Sequence, residues 1–312
     1  MRFVVLGEAL IDLIQESPRT AGTSNWTGHC GGGPMNTAVA LARLGQDVSF
    51  LGRVSGDAFG QQLRRHMSIN GVQLDLAVPV DDPTTLAVVA LDAEGKASYS
   101  FHTVGTTNFN WTADEFPQLG HDDWVHFGSI GAVLDPSFAV MEQFLDGLGN
   151  RMSFDLNVRP SVLNDPADYR RRISALLEPV GRNGGFAKAS DEDLEWLCER
   201  RWSATDYAQR LVNEHGLEVF LLTLGPQGAC AIGPDGELCR VPGRSVELVD
   251  TVGAGDTFNA GFLSTYRGNN LLEALTRGVG ASALVCTRVG AQPPTSRELD
   301  EFLDWTKSIP AP

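Results

Sequence analysis

Asp250-Thr-Val-Gly-Ala-Gly-Asp256 places three small residues, Gly253, Ala254 and Gly255, directly before a carboxylate and an amphipathic run. Small residues leave backbone amides uncovered, and uncovered amides at a helix N-terminus stabilise an anion such as a phosphoryl group. That anion repels the Asp256 carboxylate unless the carboxylate has another task. Taking a proton from a hydroxyl that attacks phosphorus is such a task. The stretch therefore points to phosphoryl transfer to an alcohol. Helix capping by Asp256 is the plain alternative. Capping accounts for neither Gly253-Ala-Gly255 nor the second acid, Asp250. Phe258, Phe262 and Tyr266 recur every four residues, so a helix is predicted after Asp256.

Three other groups of residues suit a ligand. Gly31-Gly-Gly-Pro-Met-Asn36 runs into an apolar helical pattern that ends at Gly45. Glycines let a ligand approach the backbone, and Pro34 suits a first helical turn. A tight loop needs the proline and one glycine, not three glycines and an Asn. Gly7-Glu-Ala-Leu-Ile-Asp12 follows the first strand-like run and ends on a carboxylate. Asp155-Leu-Asn-Val-Arg159 lies at the end of another, where ligands of open α/β sheets gather. Arg159 can brace a phosphate or carboxylate bidentately. Asp155 fits either a ligand contact or an ion pair.

Two weaker groups stand between function and local structure. Ser190-Asp-Glu-Asp193 is a capping box by its spacing. Thr223-Leu-Gly-Pro-Gln-Gly228 is a glycine-rich turn after a strand, able to receive nucleotide phosphates or to be a simple β-turn. No G-x-x-x-x-G-K-[ST], no G-x-G-x-x-G after the first strand and no G-x-S-x-G occurs. P-loop kinases, dinucleotide enzymes and α/β-hydrolases are thereby disfavoured.

The elements that must position these residues alternate. Phe3–Leu6, Val48–Leu51, Trp124–Phe127, Met152–Leu156 and Val219–Leu224 are predicted as buried strands. Helices are predicted over Pro34–Leu44, Asp57–Ile69, Pro136–Leu148, Pro166–Leu177, Asp191–Glu199, Ala204–His215, Asp256–Arg267, Leu271–Cys286 and Ser296–Lys307. Such alternation predicts an α/β fold, a mostly parallel sheet covered by helices on both faces. Leu13–Cys30 is polar without helical period. Thr85–Leu91 and Lys96–His102 flank Asp92-Ala-Glu-Gly95, a predicted hairpin turn. Strands without their own helices suit a lid over the ligand edge of the sheet.

The 312 residues are enough for one large α/β domain or two smaller ones. A net charge of -15 argues against nucleic acid or an anionic membrane as partner, since both need a basic face. Cys30, Cys198, Cys230, Cys239 and Cys286 are scattered and odd in number, which suits a reduced, cytoplasmic protein. No zinc spacing is present. The N-terminus is too short for a signal h-region, and no apolar run is long enough to span a bilayer.

The chain resembles the ribokinase-like, phosphofructokinase B type of carbohydrate kinase over nearly its whole length. Asp250–Asp256 looks like that family's C-terminal signature, and Gly31–Asn36 like its N-terminal one. The resemblance implies a three-layer α/β/α sandwich in one domain, 1–312, with a small β-sheet lid from insertions at about 13–30 and 84–104. It implies Asp256 as general base and the Gly253, Ala254 and Gly255 amides as anion hole. Asp12, Gly32, Gly33, Asn36, Asn157 and Arg159 would hold the sugar. ATP would lie near Thr223, Gly225 and Gly228, with Ser282 and Cys286 near the adenine. Magnesium would be organised through water by the Ser190/Asp193 pair, which stands where the family often has Asn and Glu. A potassium ion would sit by Asp250 and Thr251 and the loop near Arg288–Gly290. A homodimer through the lid is expected.

The pattern is most similar to fructokinases, which convert fructose to fructose 6-phosphate. Many of these carry an aromatic-Arg pair where this chain has Ser100-Phe-His-Thr103. Ketodeoxygluconate, another furanose and a nucleoside therefore stay open as acceptors. A sugar sensor without catalysis is the reading from another class, and the intact Gly-Ala-Gly-Asp256 argues against it.

Overall fold

A central sheet of eight strands organises the chain in a computed structural model that describes residues 1–16, 22–91 and 97–308. Its strands are β1 (Phe3–Leu6), β4 (Val48–Leu51), β9 (Trp124–Gly128), β10 (Met152–Asp155), β11 (Phe186–Ser190), β12 (Val219–Thr223), β13 (Ala229–Gly233) and β14 (Gly236–Val241). The spatial order is β14-β13-β12-β11-β10-β9-β1-β4. From β4 to β12 every pairing is parallel, while β13 and β14 close one edge antiparallel. The C-terminal ends of six strands therefore share one edge.

Among the described residues ten helices accompany it: α1 (Gly33–Arg43), α2 (Ala58–Ile69), α3 (Ser129–Val133), α4 (Ser137–Asp146), α5 (Pro166–Arg182), α6 (Asp191–Leu197), α7 (Ala204–His215), α8 (Ala254–Thr265), α9 (Leu271–Val285) and α10 (Ser296–Ser308). Strand residues alternate between two cores, as a period of two requires. Phe3 and Val5 pack with residues of α1, α2, α8, α9 and α10. Val4 and Leu6 pack with residues of α3 to α7 on the other face. Burial on both faces explains why these strands are continuous apolar runs. The result is the predicted α/β/α sandwich.

Local chemistry sets the helix ends. Asp57 accepts from the Gly60 amide at 2.7 Å and starts α2. Ser203 caps α7, which Gly216 ends in the left-handed region. The helix after Gly253 starts at Ala254, two residues before the predicted start, with Gly253 as its N-cap and no side-chain cap. Asp256 is thus inside the first turn and does not cap.

A second sheet of four strands, β3-β2-β7-β8, lies apart from the sandwich layers. It comprises β2 (Leu10–Gln15), β3 (Trp26–Gly31), β7 (Leu86–Leu91) and β8 (Ala97–His102). β7 and β8 pair antiparallel as a hairpin, and the turn predicted at Asp92–Gly95 lies outside the described residues. Of the polar Leu13–Cys30 segment, Leu13–Gln15 lies in β2 and Trp26–Cys30 in β3, which pair antiparallel. Strand β2 was hidden because its alternation, Leu10-Ile-Asp-Leu-Ile-Gln15, is broken by a buried acid. β11 escaped prediction for a similar reason: Lys188 interrupts its apolar run. β5 (Arg53–Ser55) and β6 (Val78–Val80) form a small third, parallel pair.

Candidate active site

The C-terminal ends of β1, β9 and β10, the first turn of α8 and the four-stranded sheet enclose a cleft of about 920 Å³. Asp12, Gly32, Gly33, Asn36, Asn157, Arg159, Asp250, Thr251, Gly253, Ala254, Gly255 and Asp256 all line it. Residues more than two hundred positions apart in the chain thus meet in one site.

Asn36 Nδ2 donates to Asp256 Oδ2 at 2.9 Å, so the Gly31–Asn36 loop and the acid face each other. Asp256 is 8% exposed. Burial pushes its carboxyl up to about 7, helped by the nearby Asp155 and opposed by the Asn36 hydrogen bond, Lys188 and Arg159. A carboxylate poised near neutrality is suited to accept a proton. Above it, the Ala254 amide closes a turn on the Thr251 carbonyl at 3.2 Å. The Gly253 and Gly255 amides find no hydrogen-bond acceptor among the described residues. Two free amides at the positive end of a 12-residue helix are able to receive an anion.

Each glycine of Gly31-Gly-Gly33 makes room for a specific neighbour. A Cβ on Gly31 would stand 2.1 Å from Asp12 Oδ2, so the glycine is what admits that carboxylate. Gly32 has φ 108 and presses on the Glu8 carbonyl. At Gly33 a Cβ would lie 3.3 Å from Asp256 Oδ1 and 3.0 Å from Asn157 Nδ2. Asp12 takes no hydrogen bond from the described residues, and burial pushes its carboxyl up to about 6. A half-buried acid with unfilled acceptor oxygens is able to take a ligand hydroxyl.

The turns after β9 and β10 are strained. Ser129 has φ 61 and Asn157 φ 38, and neither is glycine. Asn157 Nδ2 donates to Ser129 Oγ at 3.1 Å. The buried Glu8 accepts from the Gly131 amide at 3.0 Å and bonds Ser129, holding this pair in place. Burial raises the Glu8 pKa. Arg159 donates to the Val158 carbonyl and its amide donates to the Tyr169 hydroxyl at 3.2 Å.

The sequence profile of the pfkB family carbohydrate kinases matches residues 2–298. This chain belongs to that family. The pfkB kinase is 34% identical over 269 residues to a fructokinase of Rhizobium leguminosarum bv. trifolii, covering 85% of this chain and 80% of that protein. Its backbone is similar to a Xylella fastidiosa fructokinase solved with bound ATP, with a TM-score of 0.84, 25% identity and coverage of 98% and 99%. A double mutant of Vibrio cholerae O395 fructokinase, solved with fructose, ADP and potassium, gives a TM-score of 0.80, 26% identity and coverage of 97% and 98%. The chain is a sugar kinase with the ribokinase-like fold.

In the pfkB kinase the remaining predicted residues divide. Asp155 forms a buried ion pair with Lys188 and accepts from Asn259 at 2.7 Å. Of its two readings, the ion pair is the one present. Ser190 and Asp193 form a full capping box, Asp193 Oδ2 accepting from the Ser190 amide and Oδ1 from the Val158 amide. Both Asp193 oxygens are engaged, and Asp193 is not among the residues that line the cleft. Asp250 Oδ2 accepts from the Gly290 amide at 2.8 Å and Oδ1 from the Val252 amide, tying the two loops together. Thr223, Gly225 and Gly228 follow β12 on the same sheet edge, beyond the cleft lining. A Cβ on Gly228 would strike the Val241 carbonyl at 2.1 Å, so that glycine has a packing role of its own. Ser282 lies on α9, and the Cys286 carbonyl accepts from the Val249 and Asp250 amides.

Sequence reasoning missed Glu8, Ser129, His29, Gln62, His66 and Phe101 of the cleft, and the buried Lys188 that pairs with Asp155. A buried acid beside Gly7 and a lone Lys within Phe186–Ser190 were the available signals. Gln62 and His66 carried none, since one exposed face of α2 looks like another.

Proposed function

We propose that this sugar kinase is a fructokinase that transfers the γ-phosphoryl group of ATP to the 6-hydroxyl of fructose. The observation that carries the mechanism is Asp256, buried, 2.9 Å from Asn36 and inside the first turn of α8. Asp256 removes the proton of the sugar hydroxyl. The resulting alkoxide attacks in line while the Gly253 and Gly255 amides face the charge of the transferring group. Asp12, Gly32, Gly33, Asn36, Asn157 and Arg159 orient the sugar. The four-stranded sheet excludes water, which otherwise competes as acceptor.

Acceptor charge follows from the same wall. Glu8, Asp12 and Asp256 face the cleft against Arg159. A neutral sugar fits this balance better than an aldonate such as ketodeoxygluconate. The names of the similar kinases support fructose.

Residues for the phosphate are present. Free amides at α8 and the Lys188 ammonium, 2.8 Å from a Cβ placed on Gly255, suit the phosphates of ATP. Thr223, Gly225, Gly228 and Ser282 are assigned to its nucleoside end. When bound, ATP supplies the phosphoryl group and Mg2+ on its oxygens offsets their charge. No cluster of three His, Cys, Asp or Glu able to hold a metal occurs among the described residues. Magnesium carried mainly by phosphates and water fits that donor set, and the assignment of Asp193 rests on the family pattern alone. Potassium is assigned to the joined loops at Asp250, Thr251 and Gly290. The protein acts as a cytoplasmic homodimer paired through the lid sheet. Its five cysteines stand free, and no described helix is long and apolar enough to cross a membrane.

ADP release with Mg-ATP against fructose, ketodeoxygluconate, other furanoses and nucleosides tests this reading, with wild type and Asp256→Asn. Fructose should give the highest kcat/KM, and the variant should lose about 10²–10⁴-fold. A variant equal to wild type defeats the assigned base. Preference for another acceptor defeats fructose alone.

A further inference from the structure

Away from the catalytic cleft, a cavity of about 410 Å³ opens between α5, α6 and α7. These helices cover the sheet face opposite α1 and α8. Arg170, Arg171, Arg201 and Arg210 line it against one carboxylate, Glu214, in a chain of net charge -15. Leu197 and Leu211 form an apolar floor.

Two of these guanidinium groups converge. Arg170 Nη1 and Arg201 Nη2 stand 3.0 and 3.1 Å from the same oxygen, Glu199 Oε2. A grip of two guanidinium groups on one oxygen is what phosphate oxygens receive in phosphate sites. Arg171 is held by Asp168, and Arg210 by Glu214 of the cavity lining. Trp202 is 48% exposed, beneath the Arg210 guanidinium at 5.6 Å, and with Tyr207 forms a ring-lined wall.

The backbone at the rim is the second observation. Glu199 and Arg200 have φ 52 and 56. Among the described residues, the other non-glycine residues with positive φ are Ser129 and Asn157, both in the catalytic cleft. These two residues end α6, the Arg200 amide donating to the Glu195 carbonyl at 2.9 Å, and this turn sets Glu199 between the two guanidinium groups.

We propose that this cavity is a second ligand site, for a small phosphate ester whose phosphoryl group displaces Glu199 from Arg170 and Arg201. A sugar phosphate and a nucleotide share that chemistry, and the probes separate them.

Calorimetry on the full chain tests it, with the catalytic cleft filled by a non-hydrolysable ATP analogue and the acceptor sugar. The probes are inorganic phosphate, fructose 6-phosphate and AMP. At least one should bind saturably, and Arg201→Gln and Arg210→Gln should each weaken it about tenfold or more. Those side chains are 69% and 50% exposed, so both variants should unfold at the wild-type temperature and keep wild-type kcat without probe. If Arg210→Gln fails to fold, Arg201→Gln decides. Absence of binding by all three probes, or unchanged binding in the variants, overturns the proposal.

Discussion

The Lys188 ammonium stands 3.1 Å from Asp155 Oδ2 in a buried pair, directly under the first turn of α8. Asn259 of α8 donates to the same Asp155 oxygen at 2.7 Å. A Cβ on Gly255 would come within 2.8 Å of Lys188 Nζ. The pair therefore joins β10 and β11 to the anion cradle and supports its height above the sheet.

Breaking that pair from one side should cost more than removing it. Asp155→Ala leaves Lys188 charged and buried, a loss of about 3–5 kcal/mol. Asp155→Leu with Lys188→Met should be less destabilised than Asp155→Ala. Urea unfolding of the three proteins checks the order, and a double variant weaker than Asp155→Ala contradicts it.

Asp256 links activity and stability to pH in opposite senses. With its folded pKa at about 7, kcat/KM should climb as pH rises through that value and level off above it. The folded pKa lies above the ordinary carboxylate value of 3.8, so the folded state holds the proton more tightly. Stability should fall as pH rises from the ordinary value through about 7, then level. Asp256→Asn removes this loss. Its advantage in thermal unfolding over wild type should grow across that window, and a constant difference would falsify the assignment.

Asn36 sets the acid limb. Its hydrogen bond favours the ionised form of Asp256. Asn36→Ala should move the limb of the kcat/KM profile to higher pH, besides weakening sugar binding. An unmoved limb with a raised KM would leave Asn36 a role in binding only.

Gly33→Ala tests the space above the base. The new methyl would lie 3.3 Å from Asp256 Oδ1 and 3.0 Å from Asn157 Nδ2, where the acceptor hydroxyl must come. Misplacement of about 1 Å costs on the order of 10²-fold in rate. kcat/KM should fall by about that factor while the melting temperature holds. Wild-type kinetics in this variant would move the hydroxyl elsewhere.

Much of the site was legible because its chemistry is local. Gly253-Ala-Gly-Asp256 needs one helix start to make an anion cradle and a base, and Gly31–Asn36 needs one loop. Capping at Ser190 and Asp193 was equally legible, since its partners are three residues apart. Five parallel strands of the central sheet were found, whereas β2, β11 and the short apolar β13 were not. Asp12 and Lys188 interrupt the patterns of β2 and β11, and those residues are bound to the site and not to the core.

What the sequence determined by itself was the reaction class and the α/β layering, both written in short-range spacing. Tertiary structure alone decided that Asn36 meets Asp256, that Glu8 holds Ser129 and Asn157, and that Lys188 answers Asp155 below the cradle. It also paired Leu10–Gln15 with Trp26–Gly31, because a strand is satisfied by its neighbours' backbone and needs little apolar pattern. Those contacts join residues far apart in the chain, and only the parallel sheet, which brings six strand ends to one edge, makes them neighbours.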